Sequence, residues 1–148
     1  MSVLHCRAIC LLCEAIYGVD GTMMMLFKRD TRSADQLYLE ARTLWAKVVS
    51  LSIYDSEDML RSVAKLLQKA RQQNPGHRRS LILLSDVLMA LGSDGEAMEV
   101  VDALIELEPS NQTHGKKKAL LQQLQQNTDS RTTMREFVET RWTQTNDW

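Results

Sequence analysis

The sequence is poor in the residues that interrupt helices and in those that favour strands. It contains 2 prolines and 6 glycines in 148 residues, and aromatic residues make up only 5%. No stretch combines apolar–polar alternation with the β-branched enrichment of a half-buried strand. Leu, Ala, Gln, Glu, Arg and Met are plentiful, and all of them lose little rotamer freedom in a helix. The composition therefore predicts an all-α fold without a sheet.

A strong net charge and a long apolar run are also missing. The formal net charge is -1 at pH 7, so no bulk electrostatic field draws the chain to nucleic acid or to anionic lipid. No run reaches the roughly 18 apolar residues that a membrane span needs. We therefore expect no nucleic acid among the partners and no membrane span.

The chain has few cysteines, and they are clustered. Cys6, Cys10 and Cys13 fall at helical spacing near the N-terminus, where an odd number makes a poor disulfide framework and favours a reducing, cytoplasmic location. Together with His5 they would supply four ligands from one short helix, which cannot surround a metal ion tetrahedrally. Packing as small apolar side chains is the preferred interpretation, and a thiol sensor that uses Cys10 and Cys13 is an alternative.

Motifs of catalysis are absent from the sequence. It has no nucleophile elbow, no zinc-protease helix motif, no phosphate-binding glycine loop and no dinucleotide fingerprint. The 3 histidines have no acid or nucleophile at a recognisable spacing. We therefore predict a protein that is not an enzyme, with no catalytic residues, no cofactor and no metal.

From residue 33 onward, helix caps and helix breakers recur regularly. Ser33 with Gln36 forms the pattern of a capping box, and so do Ser93 with Glu96 and Thr133 with Glu136. Pro75, Gly92 and Pro109 each follow an apolar stretch with helical periodicity. This punctuation predicts helices of roughly 14 to 18 residues joined by short turns, which makes neighbours antiparallel. We divide the chain into an N-terminal helix and linker, residues 1–32, and a helical domain, residues 33–148.

The helical pairs repeat. Pro75 and Pro109 are 34 positions apart, and residues 78–111 resemble one unit of the tetratricopeptide repeat, a helix–turn–helix of that length. Residues 44–77 and a segment that begins near Gln112 resemble the unit more weakly. The positions that carry the resemblance in the best unit are Leu84, Ser85, Gly92, Ala97, Val101 and Pro109.

The resemblance implies a specific architecture. Small side chains at Ser85 and Ala97 should let two helices approach closely, while Gly92 permits a tight turn between them. Stacked antiparallel hairpins would form a short right-handed superhelix. A C-terminal helix with Phe137, Val138 and Trp142 would cap its end, because terminal repeats need a cover.

The resemblance also implies a function, since the first helices of such repeats line a groove that holds a peptide or amphipathic helix of a partner protein. The groove would be apolar along two units and basic at one end, which suits a ligand with an acidic end. Val49 and Leu83 stand where a carboxylate-clamping member needs Asn, which argues against that ligand class. The predicted groove residues are Trp45, Val48, Val49, Arg79, Ile82, Leu83, Asp86, Met89, Lys116 and Lys117.

Several functions fit this architecture. The first is a non-catalytic adaptor or chaperone, and small secretion chaperones of the type III class II kind have a similar size. The second is a structural subunit of an obligate homo- or hetero-oligomer, whose apolar face is buried by another copy or another chain. Residues 1–30 are apolar enough to cover the groove themselves.

Overall fold

Six α-helices make up the described part of the protein. The computed structural model describes residues 30–126 and 130–144, and the predicted N-terminal helix with its cysteines lies outside these ranges. No strand occurs among the described residues, so the all-α prediction is confirmed. The helices are α1 (Ala34–Ser50), α2 (Glu57–Gln73), α3 (Arg78–Leu91), α4 (Asp94–Leu107), α5 (Gln112–Gln126) and α6 (Ser130–Gln144).

Two of the predicted helix boundaries have the local chemistry that the sequence indicates. At the start of α1, Ser33 Oγ accepts from the backbone N–H of Gln36 at 3.2 Å, and Gln36 Oε1 accepts from the N–H of Ser33 at 2.9 Å. This is the predicted capping box, and it satisfies two backbone donors that a helix start leaves unpaired. Gly92 ends α3 with a φ of 76°, in the left-handed region where a Cβ is unfavourable.

Two of the predicted capping boxes do not form. Ser93 is the N-cap residue of α4, as predicted, but its side chain makes no capping hydrogen bond. Thr133 lies inside α6, which begins at Ser130.

The first five helices stack as antiparallel neighbours. Each packs against the next along the chain, so α2 lies between α1 and α3, and α4 lies between α3 and α5. The central helix α3 is the most deeply buried, because it contacts α2, α4 and α6 and also α1. Ser85 and Ala97 are both fully buried on the packed pair α3 and α4. Burial of both small residues agrees with the close helix packing that the repeat pattern predicts.

Acidic side chains of α4 connect it to its neighbours. Glu96 accepts from Gln68 of α2 at 3.2 Å, and Asp102 pairs with Lys118 of α5 at 2.7 Å. These contacts lie on the surface of the stack, where ion pairs add little stability individually. They link α4 to α2 and to α5 at the surface and contribute little to burial.

The last helix does not lie on the end of the stack. It contacts α3, α5 and α1, which are the first helices of the three predicted pairs. The sequence predicts α6 as an end cap, but the structure lays it across these three helices. The reason is chemical, because side chains of α6 reach a buried carboxylate on α3 as well as an aromatic ring on α1.

Candidate functional site

The candidate site is the surface of α1, α3 and α5 that α6 covers, which we call the inner face. Its central residues are Trp45 on α1, Asp86 on α3 and Lys117 on α5, and all three are buried. One residue from each first helix therefore meets at the same place. Lys117 contacts Asp86, and Trp142 of α6 contacts both Asp86 and Trp45, so positions 31 to 72 residues apart in sequence belong to one cluster.

Trp142 of α6 joins the two sides of this cluster. Its indole ring meets the ring of Trp45 edge to face, with centroids 5.6 Å apart and an interplanar angle of 72°. Its Nε1 donates a hydrogen bond of 3.0 Å to Asp86 Oδ2. An aromatic edge-to-face pair adds to area burial, and a buried indole N–H needs an acceptor. Trp142 satisfies both requirements at once.

Asp86 and Lys117 form an ion pair in the interior. Lys117 Nζ lies 2.7 Å from Asp86 Oδ1, and the exposed fraction of both side chains is 0%. Lys117 also donates a hydrogen bond of 2.7 Å to Ser85 Oγ, and that hydroxyl donates to the backbone carbonyl of Ile82 at 2.7 Å. The ammonium thus has partners in a place where an isolated charge would be very costly.

Burial lowers the pKa of Lys117 to about 8, although the attraction of Asp86 opposes this shift. Repulsion by Arg141 of α6 lowers the same pKa further. Arg141 Nε lies 3.4 Å from Asp86 Oδ2, so one buried carboxylate faces two cations. The cluster is electrostatically positive once α6 is in place.

An open groove of about 510 Å³ lies at one end of the inner face, between α5 and α6. Lys116 and Leu120 line it from α5, and Phe137 and Arg141 line it from α6. At the other end Arg135 pairs with Asp55, which follows α1, at 2.7 Å. The contacts of α6 therefore extend from α5 to the turn between α1 and α2.

The structure places most of the predicted groove residues in the interior. Trp45, Val48, Leu83, Asp86, Met89 and Lys117 are buried, Val49 and Ile82 are half-buried, and Arg79 and Lys116 are exposed. Their predicted role as contacts to a partner stays a prediction, because α6 covers the central ones. The prediction that residues 1–30 cover the groove concerns a segment that, apart from residue 30, lies outside the described residues.

The three consecutive lysines on α5 have three different surroundings. Lys116 is exposed in the groove, Lys117 is buried on Asp86, and Lys118 pairs with Asp102 of α4. On a helix, consecutive residues point about 100° apart, so a run of one residue type cannot make one basic surface. Of these three lysines, Lys116 is the one that lines the groove.

Sequence reasoning missed two partners of the buried ion pair, Ser85 beside Lys117 and Arg141 beside Asp86. Ser85 was identified only as a small packing residue, and Arg141 was not singled out at all. A signal was present, because Asp86 is the only charged residue in the stretch 80–91. A lone Asp in an apolar helix predicts a buried acid that needs donors from elsewhere.

Neither a metal site nor a membrane span occurs among the described residues. No group of three or more His, Cys, Asp or Glu side chains in that part of the chain is placed to hold a metal ion. None of the described helices is long and apolar enough to cross a membrane.

The comparison with protein families agrees with the helix pairs. Residues 57–124, from the first residue of α2 to Leu124 in α5, match the model of the tetratricopeptide repeat family. Over this region the chain is similar to the tetratricopeptide repeat family, which agrees with the resemblance of residues 78–111. No curated protein and no solved structure matches the chain. The repeat indicates a scaffold for protein–protein interaction.

Proposed function

We propose that the protein is a non-catalytic adaptor or chaperone that holds a helix or peptide of a partner protein on the inner face. The single observation that supports this is that the inner face already holds an amphipathic helix, α6, through Trp142 and its contacts to Trp45 and Asp86. A surface that binds one helix by burying aromatic and apolar side chains has the chemistry to bind another.

The residues of the inner face would act in two groups. Lys116 and Leu120 line the open groove beside α6 and would contact the partner first. Trp45, Asp86 and Met89 are buried and would contact the partner only where α6 has moved away. A buried Trp is a common anchor in protein interfaces, because it contributes a large apolar area from one rigid ring.

Site-specific photo-crosslinking in the native cell tests this proposal without disturbing the core. A photoreactive phenylalanine analogue replaces Leu120, which is half-buried in the groove. The matched control replaces Leu107, an exposed leucine on α4, away from the inner face. We expect a discrete crosslinked protein from position 120 and none from position 107.

Three outcomes are informative. Equal labelling from both positions, or labelling from Leu107 alone, would contradict the assignment of the inner face. A crosslinked product that consists of a second copy of this chain would favour the subunit alternative instead. A partner that crosslinks at position 120 only would support the proposal and identify the bound segment by peptide mapping.

A further inference from the structure

We propose that the partner segment is a basic amphipathic helix and that α6 is an internal copy of it, which the partner must displace. The ligand has apolar residues at positions i, i+4 and i+8, the last one aromatic, and Arg or Lys at i+7. This inference rests on the proposed function and names the chemistry of the partner and the regulation of the same face.

The pattern is read from the contacts of α6. Met134, Val138 and Trp142 are spaced by four residues, which places them on one side of a helix. Met134 and Val138 are buried in the core, and Trp142 packs against it. Arg141, one position before Trp142, lies close to the carboxylate of Asp86.

Asp86 explains why hydrogen-bond donors, here an indole N–H and an arginine, fit at that position. Its Oδ1 faces Lys117, and its Oδ2 faces two groups of α6, Trp142 Nε1 at 3.0 Å and Arg141 Nε at 3.4 Å. A purely apolar helix in the place of α6 would bury that oxygen without a donor, which is unfavourable. An acidic residue there would be repelled by Asp86. The sequence predicts a ligand with an acidic end, and at Asp86 the charges require the opposite.

The described side chains of α6 are mostly not buried. Of its ten described side chains, residues 133–142, only Met134 and Val138 are buried, whereas ten side chains of α3 are buried. The fit is also incomplete, because Trp45 Nε1 and Tyr54 Oη are buried without a hydrogen-bond partner beneath it. Tyr54 lies close enough to Glu139 of α6 for that carboxylate to raise the pKa of its hydroxyl, after the larger effect of burial. An element with few buried side chains opens before the rest of a fold.

A helix that is tethered to its own binding site competes with any partner. The covalent link gives α6 a high effective concentration at the inner face. The apparent affinity for a partner is then reduced by the fraction of molecules in which α6 occupies the face. A substitution that weakens the attachment of α6 should therefore strengthen the binding of a separate helix or peptide to the inner face.

The test uses a synthetic peptide of residues 130–144 as the probe, with a fluorescent label. It is titrated into the full-length wild type and into full-length Trp142→Ala, in which α6 is weakened but α1 to α5 are unchanged. We expect the variant to bind the probe at least tenfold more tightly than the wild type. A control peptide with Arg141→Glu and Trp142→Ala should bind the variant at least tenfold more weakly than the probe.

A second measurement keeps the test valid if Trp142→Ala folds poorly. Hydrogen exchange of wild-type α6 amides is followed with and without excess probe. We expect faster exchange in α6 and unchanged exchange in α3 when the probe is present, because the probe replaces α6. Equal probe affinity for wild type and variant, or unchanged α6 exchange, would overturn the displacement model.

The remaining outcomes separate this inference from the proposed function. If the control peptide binds as well as the probe, the stated ligand chemistry is wrong. If a partner crosslinks at Leu120 but the probe never binds, the proposed function stands and this inference fails. If the wild type is a dimer that the probe dissociates, the occupant is a second copy, which overturns the assignment to another protein.

Discussion

At the scale of single residues, the buried pair of Asp86 and Lys117 has the largest consequences. Both side chains have left water completely, and desolvation of two ions offsets much of their attraction. Ser85 and Trp142 supply the neutral hydrogen bonds that complete the cluster. The pair therefore specifies which helices meet more than it stabilises the fold.

The lowered pKa of Lys117 predicts how stability changes with pH. Below pH 8 the residue is charged in both the folded and unfolded states, and the folded state bears the desolvation penalty. Between about pH 8 and 10.5 the unfolded state keeps the proton and the folded state loses it, so the free energy of unfolding rises with pH. Across this window the free energy of unfolding of the wild type, relative to that of Lys117→Met, should increase by about 1–3 kcal/mol. Urea denaturation of both proteins measures this difference.

Lys116→Met is the matched control, since Lys116 is the exposed neighbour on the same helix. Its difference from wild type should not change between pH 8 and 10.5. If the difference between wild type and Lys117→Met falls as pH rises, the attraction of Asp86 outweighs desolvation, and our account of the cluster is wrong.

At the scale of the element, the turn between α3 and α4 shows how two glycines differ. Gly92 has a φ of 76° and accommodates the turn by its backbone alone. Gly95 lies in the first turn of α4, and a Cβ added there meets nothing within 4 Å. One glycine is required by geometry, whereas the other only adds freedom to the unfolded chain.

This pair makes a matched prediction. Gly92→Ala should lower the free energy of unfolding by about 1–2 kcal/mol, because alanine is strained in the left-handed region. Gly95→Ala should raise it by roughly 0.5–1 kcal/mol, because alanine favours the helix. Thermal and urea unfolding of both variants measure these shifts. A destabilisation of similar size at both positions would show that the turn is not held by the conformation of Gly92.

At the scale of the whole molecule, contacts between neighbours along the chain build α1 to α5, and contacts between distant segments place α6. The first kind is expected for a repeat array, in which each unit contacts only the next. The second kind joins Trp142 to Trp45 and Asp86, 97 and 56 positions away in the sequence. The described surface outside this region exposes few large apolar side chains, namely Leu39, Leu51 and Leu107.

Scattered apolar side chains of this kind need no partner, which predicts the behaviour of the molecule in solution. Replacing Leu39 and Leu107 together by Ser should leave the molar mass from light scattering unchanged at micromolar concentration. Circular dichroism checks that the variant is folded. A wild-type oligomer that this variant dissociates would place an interface on the described surface and favour the subunit alternative.

Much of the architecture could be predicted from local signals. The capping box at Ser33, the turn at Gly92 and the helix end before Pro109 depend on residues within a few positions of each other, so the sequence contains their full cause. The predicted groove residues also include Trp45, Asp86 and Lys117, which the structure brings together. Thr133 and Ser93 show the limit of this approach, because the Thr133 pattern falls inside a helix that begins at Ser130, and Ser93 is at the N-cap of α4 without a capping hydrogen bond.

The sequence alone determined the helices, their pairing and the repeat, because hydrophobic periodicity and turn chemistry act over short distances along the chain. Only the tertiary structure decided which side chains lose contact with water. The sequence does not distinguish Lys117 from the neighbouring lysines. It also does not show which groups donate to Asp86. The crossing of α6 over α1, α3 and α5 determines both the burial of the lysine and the partners of Asp86. Burial and charge pairing depend on segments that are distant in the chain and close in space.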